Sequence, residues 1–71
     1  MLTKREKQVL ELLDLGYTNS EIAENLNISR TTVIFHRKNI KIKLHAKNSC
    51  ELVLNGIKMG LISIKPLNYE R

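Results

Sequence analysis

Residues 18–44, TNSEIAENLNISRTTVIFHRKNIKIKL, decide the fold. Thr18 stands three residues before Glu21, the spacing at which a capping threonine and a glutamate each accept the other's backbone N–H at a helix start. Ile22, Ala23 and Leu26 then share one helical face. Only Asn27, Ile28 and Ser29 separate this short helix from the next. Ser29 is a good N-cap, and Ile28 is placed to pack on Val33 as a hydrophobic staple. Two helices joined by so short a turn cross steeply, which predicts a helix-turn-helix over about 19–38, the arrangement whose second helix enters a DNA major groove.

The same punctuation extends outward. Thr3 and Glu6 repeat the box, Val9, Leu10 and Leu13 follow at helical spacing, and Gly16 supplies a left-handed terminator, predicting a first helix over about 4–15. The helix after Ser29 is expected over about 30–44. Asn48 and Glu51 open a fourth, in which Cys50, Val53, Leu54, Ile57 and Leu61 keep helical period and Gly60 interrupts it. The expectation is an all-α domain of four helices over 1–62, with 63–71, which holds the single proline and has no periodicity, as a tail.

At 71 residues there is room for one modest core, of the size that often needs a metal, disulfides or a second copy. Cys50 is the single cysteine, which fits a reducing, cytoplasmic setting. His36, His45 and Cys50 match no zinc spacing, so neither a metal nor any other cofactor is expected. No apolar run reaches the length of a membrane span and the first residues carry no signal-peptide core, so neither membrane insertion nor export is expected. Association with a second chain remains. The net charge of +5 is unevenly spread: residues 25–50 hold Arg30, Arg37, Lys38, Lys41, Lys43 and Lys47 with no acid, whereas residues 1–24 are net acidic. Such a one-signed stretch suits a polyphosphate partner, although a basic run alone is also what a solvated helix face looks like.

Geometry sharpens that reading. On a wheel of about 100° per residue, Val33, Ile40 and Leu44 form the inward stripe of the third helix, and Thr31, Ile34, Phe35, Lys38, Lys41 and Ile42 lie opposite. Lysine and arginine reach phosphates or guanine edges, while an apolar side chain can rest on a thymine methyl group. Ser29 to Thr32 form the first turn, whose free N–H groups suit a phosphate. His36 lies on the border of the stripe and is expected to be a hydrogen-bonded packing residue. On the fourth helix a second apolar row, Leu52 and Met59 with Gly56 between, has no role in the expected core. A mid-helix glycine costs about 1 kcal/mol against alanine, which suggests close approach of another helix. Leu52, Asn55, Gly56 and Met59 are thus expected to line a two-fold contact between copies.

The joint spacing of Leu2-Thr3 with Arg5-Glu6, Gly16, Glu21-Ile22-Ala23, Leu26, Ser29, Thr32-Val33, His36, Ile40, Lys43-Leu44 and Gly60-Leu61-Ile62 resembles the DNA-binding domain of the LuxR family of bacterial transcription regulators, across about 2–62. The resemblance implies four helices, the third in the major groove and the fourth pairing two copies. It implies base reading by Ile34, Phe35 and Lys38, and phosphate contacts around Ser29, Thr31, Thr32, Lys43 and Lys47. Lys41 joins them from the charge pattern. The departure is Ser49, where family members often carry an arginine, which puts one bridge near the start of the fourth helix in doubt. The promoter-reading region of sigma factors is similar too, but usually lacks His36 and the Gly-Leu-Ile ending.

The expected partners are therefore duplex DNA and a second copy, with RNA polymerase a further candidate. The alternative from another class is a protein-interaction module that kept the fold. No acid, base and nucleophile stand at a catalytic spacing, so an enzyme is not expected. Free-standing regulator and fragment of a longer one both remain open.

Overall fold

The computed structural model describes residues 1–62; the expected tail, 63–71, lies outside the described residues. Four helices follow in order: α1 Lys4–Asp14, α2 Asn19–Leu26, α3 Arg30–Lys43 and α4 Ser49–Lys58. Each begins on a side-chain cap. Thr3 Oγ1 accepts from Glu6 N at 3.1 Å while Glu6 Oε1 accepts from Thr3 N at 2.9 Å, and Thr18 and Glu21 repeat the exchange. Ser29 Oγ accepts from Thr32 N, and Asn48 Oδ1 from Glu51 N. In the fourth cap the glutamate reaches one residue further back, accepting from Lys47 N.

Each helix is closed by a residue in the left-handed region: Gly16, Asn27, His45 and Gly60. Just past each one, an N–H donates to a carbonyl five residues earlier, as in Tyr17 N to Leu12 O and Ile28 N to Ala23 O. Asn27 makes the turn between α2 and α3, a position asparagine tolerates because its short polar side chain lowers the left-handed cost.

The core is built around α3, which packs on all three other helices. Val33, Ile40 and Leu44 meet Val9 and Leu10 of α1, Ile22 and Ala23 of α2, Leu52 of α4, and Ile62. At the edge of this core lies one acid. Glu6 is 4% exposed and accepts from Lys43 Nζ at 2.8 Å, so that the end of α3 is tied to the start of α1. Burial alone would raise the Glu6 pKa, but the hydrogen bonds from Lys43 and Thr3 and the lysine's charge outweigh it and hold the carboxyl below its ordinary 4.5. The stabilisation is therefore present above the ordinary value and is lost as pH falls through the folded one. Lys43→Met strands a buried carboxylate and should cost about 1–3 kcal/mol near neutral pH. Its stability should also fall less than the wild type's between neutral pH and about pH 4, because protonating an unpaired buried carboxylate relieves it. Urea titrations at both pH values measure this; parallel pH dependences would remove the pair from the stability of the fold.

The structure corrects the expected rotation of α4. Leu52 and Gly56 face the core, Val53 and Ile57 are half-buried, and Cys50 and Leu54 are exposed. A Cβ on Gly56 would lie 2.9 Å from Leu10 Cδ2 and 3.3 Å from Ile62 Cγ1. The close approach that excludes a side chain there is thus made by α1 and the end of the domain, not by a second copy. Asn55 also turns inward, its Nδ2 donating to Leu44 O at 2.8 Å to satisfy a carbonyl at the end of α3. Of the four residues assigned to a two-fold contact, Met59 alone keeps a largely exposed side chain.

Candidate nucleic-acid interface

Burial of Val33, Ile40 and Leu44 leaves α3 no freedom of rotation, and the opposite arc is forced outward. Ile34, Phe35 and Ile42 are 50%, 58% and 63% exposed, unusually open for large apolar side chains on one face of a small domain. Thr31 and Lys38 share that arc and are exposed, and Lys41 is half-buried beside it. The Phe35 ring leans on His36, with centroids 6.0 Å apart and planes inclined by 56°. His36 is half-buried as expected of a border position, but its buried Nδ1 has no hydrogen-bond partner among the described residues.

Beside this arc the N-terminus of α2, the outer side of α3 and the α3–α4 loop enclose an open groove of about 510 Å³. Arg37, Lys38, Lys41 and Lys47 line it with Asn19, Ala46 and, from the arc itself, Ile34 and Ile42, and no acid does. Arg37 is a residue the sequence reading passed over. Its guanidinium donates to Asn19 Oδ1 at the start of α2 and to Ser49 Oγ at the start of α4, so it braces three helices around the groove. Ser49, the departure from the family pattern, is thereby engaged from α3.

The expected phosphate ligands are not equivalent. Ser29 Oγ is taken up by the cap and lies 2.8 Å from Thr32 Oγ1, which leaves Thr31 with an exposed hydroxyl and the first-turn N–H groups of Arg30 and Thr31 without intrahelical partners. Lys47 is exposed, with its backbone N–H bonded to Glu51. Lys43 corrects the expectation. Its ammonium is spent on Glu6 and the Met1 carbonyl, and it borders Met1, Leu2 and Met59 rather than the basic groove.

A short, tightly turned helix pair followed by an exposed, cationic and partly apolar helix has close counterparts. The model of the family described as bacterial regulatory proteins, luxR family, matches residues 1–55. The chain belongs to that family. This luxR-family domain is 44% identical over 63 residues to the uncharacterized response regulatory protein YgeK of Escherichia coli, covering 89% of this chain and 43% of that one. It is 44% identical over 62 residues to the oxygen regulatory protein NreC of Staphylococcus carnosus and 40% identical over 62 residues to the transcriptional regulatory protein MctR of Rhizobium johnstonii, each time covering 87% of this chain and 29% of the relative. The domain thus spans less than half the length of these relatives. Among solved structures, the transcription factor GerE superposes with a TM-score of 0.85 at 31% identity, covering 90% of this chain and 96% of that one. The luxR family consists of DNA-binding transcription regulators rather than enzymes, and the four-helix all-α fold expected from the sequence is the fold of GerE. Among the described residues no helix is long and apolar enough to cross a membrane.

Proposed function

We propose that this luxR-family domain binds specific sites in duplex DNA in the bacterial cytoplasm and regulates transcription there without catalysing a reaction, with α3 lying in the major groove. The observation that carries the reading is the pairing, on one side of the molecule, of the acid-free groove of Arg37, Lys38, Lys41 and Lys47 with the exposed arc of Thr31, Ile34, Phe35 and Lys38. Cations supply sequence-independent grip, and the arc supplies groups that tell bases apart. Ser29 contributes by fixing the start of α3, and Thr32 through its N–H in the same cap. Mobility shift on random duplex at low salt, followed by salt titration, tests the proposal. Binding should weaken steeply with salt, because each neutralised phosphate releases counterions. Absence of any shift at low salt would overturn it and leave α3 as a face for a protein partner.

Two copies are proposed to meet through the outer side of α4, where Cys50 and the half-exposed Leu54 stand away from the core with Ile57 at their border. An isologous contact repeats each side chain across the two-fold axis, so one substitution acts twice. Leu54→Asp should keep the helicity of the wild type but bind a palindromic duplex as separate monomers, with affinity lowered by about tenfold or more, since each exchange sets two carboxylates against an apolar contact. Sedimentation on DNA distinguishes one bound copy from two; an unchanged stoichiometry would remove α4 from the contact.

A further inference from the structure

The outward arc of α3 is selective in what it lacks. Direct readout in the major groove relies on asparagine or glutamine for adenine, on aspartate or glutamate for cytosine, on arginine or lysine for guanine, and on apolar contact for the thymine methyl group. Between Arg30 and Lys43 there is no Gln, Asp or Glu, and the single amide, Asn39, is half-buried at the edge of the arc. What the arc does expose is Thr31, Ile34 and Phe35 near the N-terminal end, the part of such a helix that meets base edges, with Lys38 between the two apolar side chains and Ile42 one turn on.

These apolar groups adjoin a groove whose charges are all positive, so the occupant of this face is a polyanion that also offers apolar points. B-form DNA does so through the thymine 5-methyl groups that project into a major groove wide enough for a helix. Double-stranded RNA does not, because its deep, narrow major groove excludes side chains and its uracil lacks the methyl group. We propose that α3 reads its site through thymine methyl groups, seated on Ile34 and Phe35, together with guanine at Lys38, and makes no amide or carboxylate reading of adenine or cytosine. Tilted contact with His36 favours one placement of the Phe35 ring, which suits a contact made by shape.

This inference rests on the DNA-binding reading above, and one experiment separates the two. Duplexes are selected from a randomised library with this chain, and each thymine of the selected site is replaced in turn by deoxyuracil, which removes one methyl group and leaves pairing and phosphates intact. Burial of one methyl is worth about 0.8 kcal/mol, so each contacted position should lose about fourfold in affinity, while thymines in the flanks lose nothing. Phe35→Ala should become indifferent to uracil at one of those positions, and Ile34→Ala at another. Both side chains are at least half exposed, so circular dichroism should show the variants folded; the uracil series on the wild type stands independently of them. A selected site that binds equally well with every thymine replaced, or a selection that yields sites without thymine, would overturn methyl reading while leaving DNA binding in place. Failure to bind any duplex would overturn both.

Discussion

Leu52→Asp is expected to leave no folded domain. Leu52 is fully buried between α4 and the core, and truncating such a leucine costs about 2–5 kcal/mol through lost burial and the cavity left behind. Placing a carboxylate in that space, among the apolar side chains of the core, adds several kcal/mol more, because taking a charge out of water is costly. A domain of this length holds roughly 3–9 kcal/mol in total, so the sum exceeds what is available. Far-UV circular dichroism and urea titration should show an unfolded or very weakly folded chain, where the neighbouring Leu54→Asp remains helical. Native helicity in Leu52→Asp would mean that α4 is rotated as the sequence alone suggested, with this row turned outward.

Replacing Lys38, Lys41 and Lys47 together by alanine should abolish most of the affinity for duplex DNA without touching stability. None of the three side chains makes a hydrogen bond or ion pair among the described residues, so the fold has little to lose. Each phosphate contact contributes about 0.9 to the slope of log affinity against log salt, so the slope should fall in magnitude by nearly three and affinity at 0.1 M salt on the order of 10²–10³-fold. Fluorescence anisotropy on random duplex across a salt series measures both. Lys43→Met is the contrasting variant, because its ammonium serves Glu6: it should lower the urea midpoint far more than the salt slope. Similar slopes for the triple variant and the wild type would place the phosphates elsewhere on the surface.

The helix starts were legible because each depends on residues three apart, Thr3 with Glu6 and Thr18 with Glu21, and local geometry leaves one way to satisfy them. The rotation of α3 was legible as well, since Val33, Ile40 and Leu44 face lysines and arginines across the helix. For α4 the pattern was ambiguous: Leu52 and Met59 on one side and Cys50, Val53, Leu54 and Ile57 on the other are all apolar, so periodicity alone cannot choose. What chooses is Gly56 fitting under Leu10 and Ile62, a tertiary contact. Lys43 and Arg37 were misjudged or missed for the same reason. Glu6 lies 37 residues from Lys43, and Asn19 and Ser49 lie 18 and 12 from Arg37. Nothing local distinguishes a lysine bound for a buried acid from one bound for a groove.

The four left-handed terminators also bear on how the chain reaches this state. Tyr17 to Leu12, Ile28 to Ala23, Ala46 to Lys41 and Leu61 to Gly56 all join groups five residues apart, so the limits of every helix are encoded without reference to the rest of the molecule. Conformational search then reduces to docking short rods whose ends are already marked, and domains rich in such local contacts cross their folding barrier in about microseconds to milliseconds. Yet helices of 8 to 14 residues fall near or below the roughly 12–15 at which isolated helices become even marginal in water. None has a stable existence apart from the others, and α1 and α3 each pack on all of them. The chain should consequently assemble quickly and in a single cooperative step, with α3, the helix proposed to face DNA, sharing the folding hub with α1.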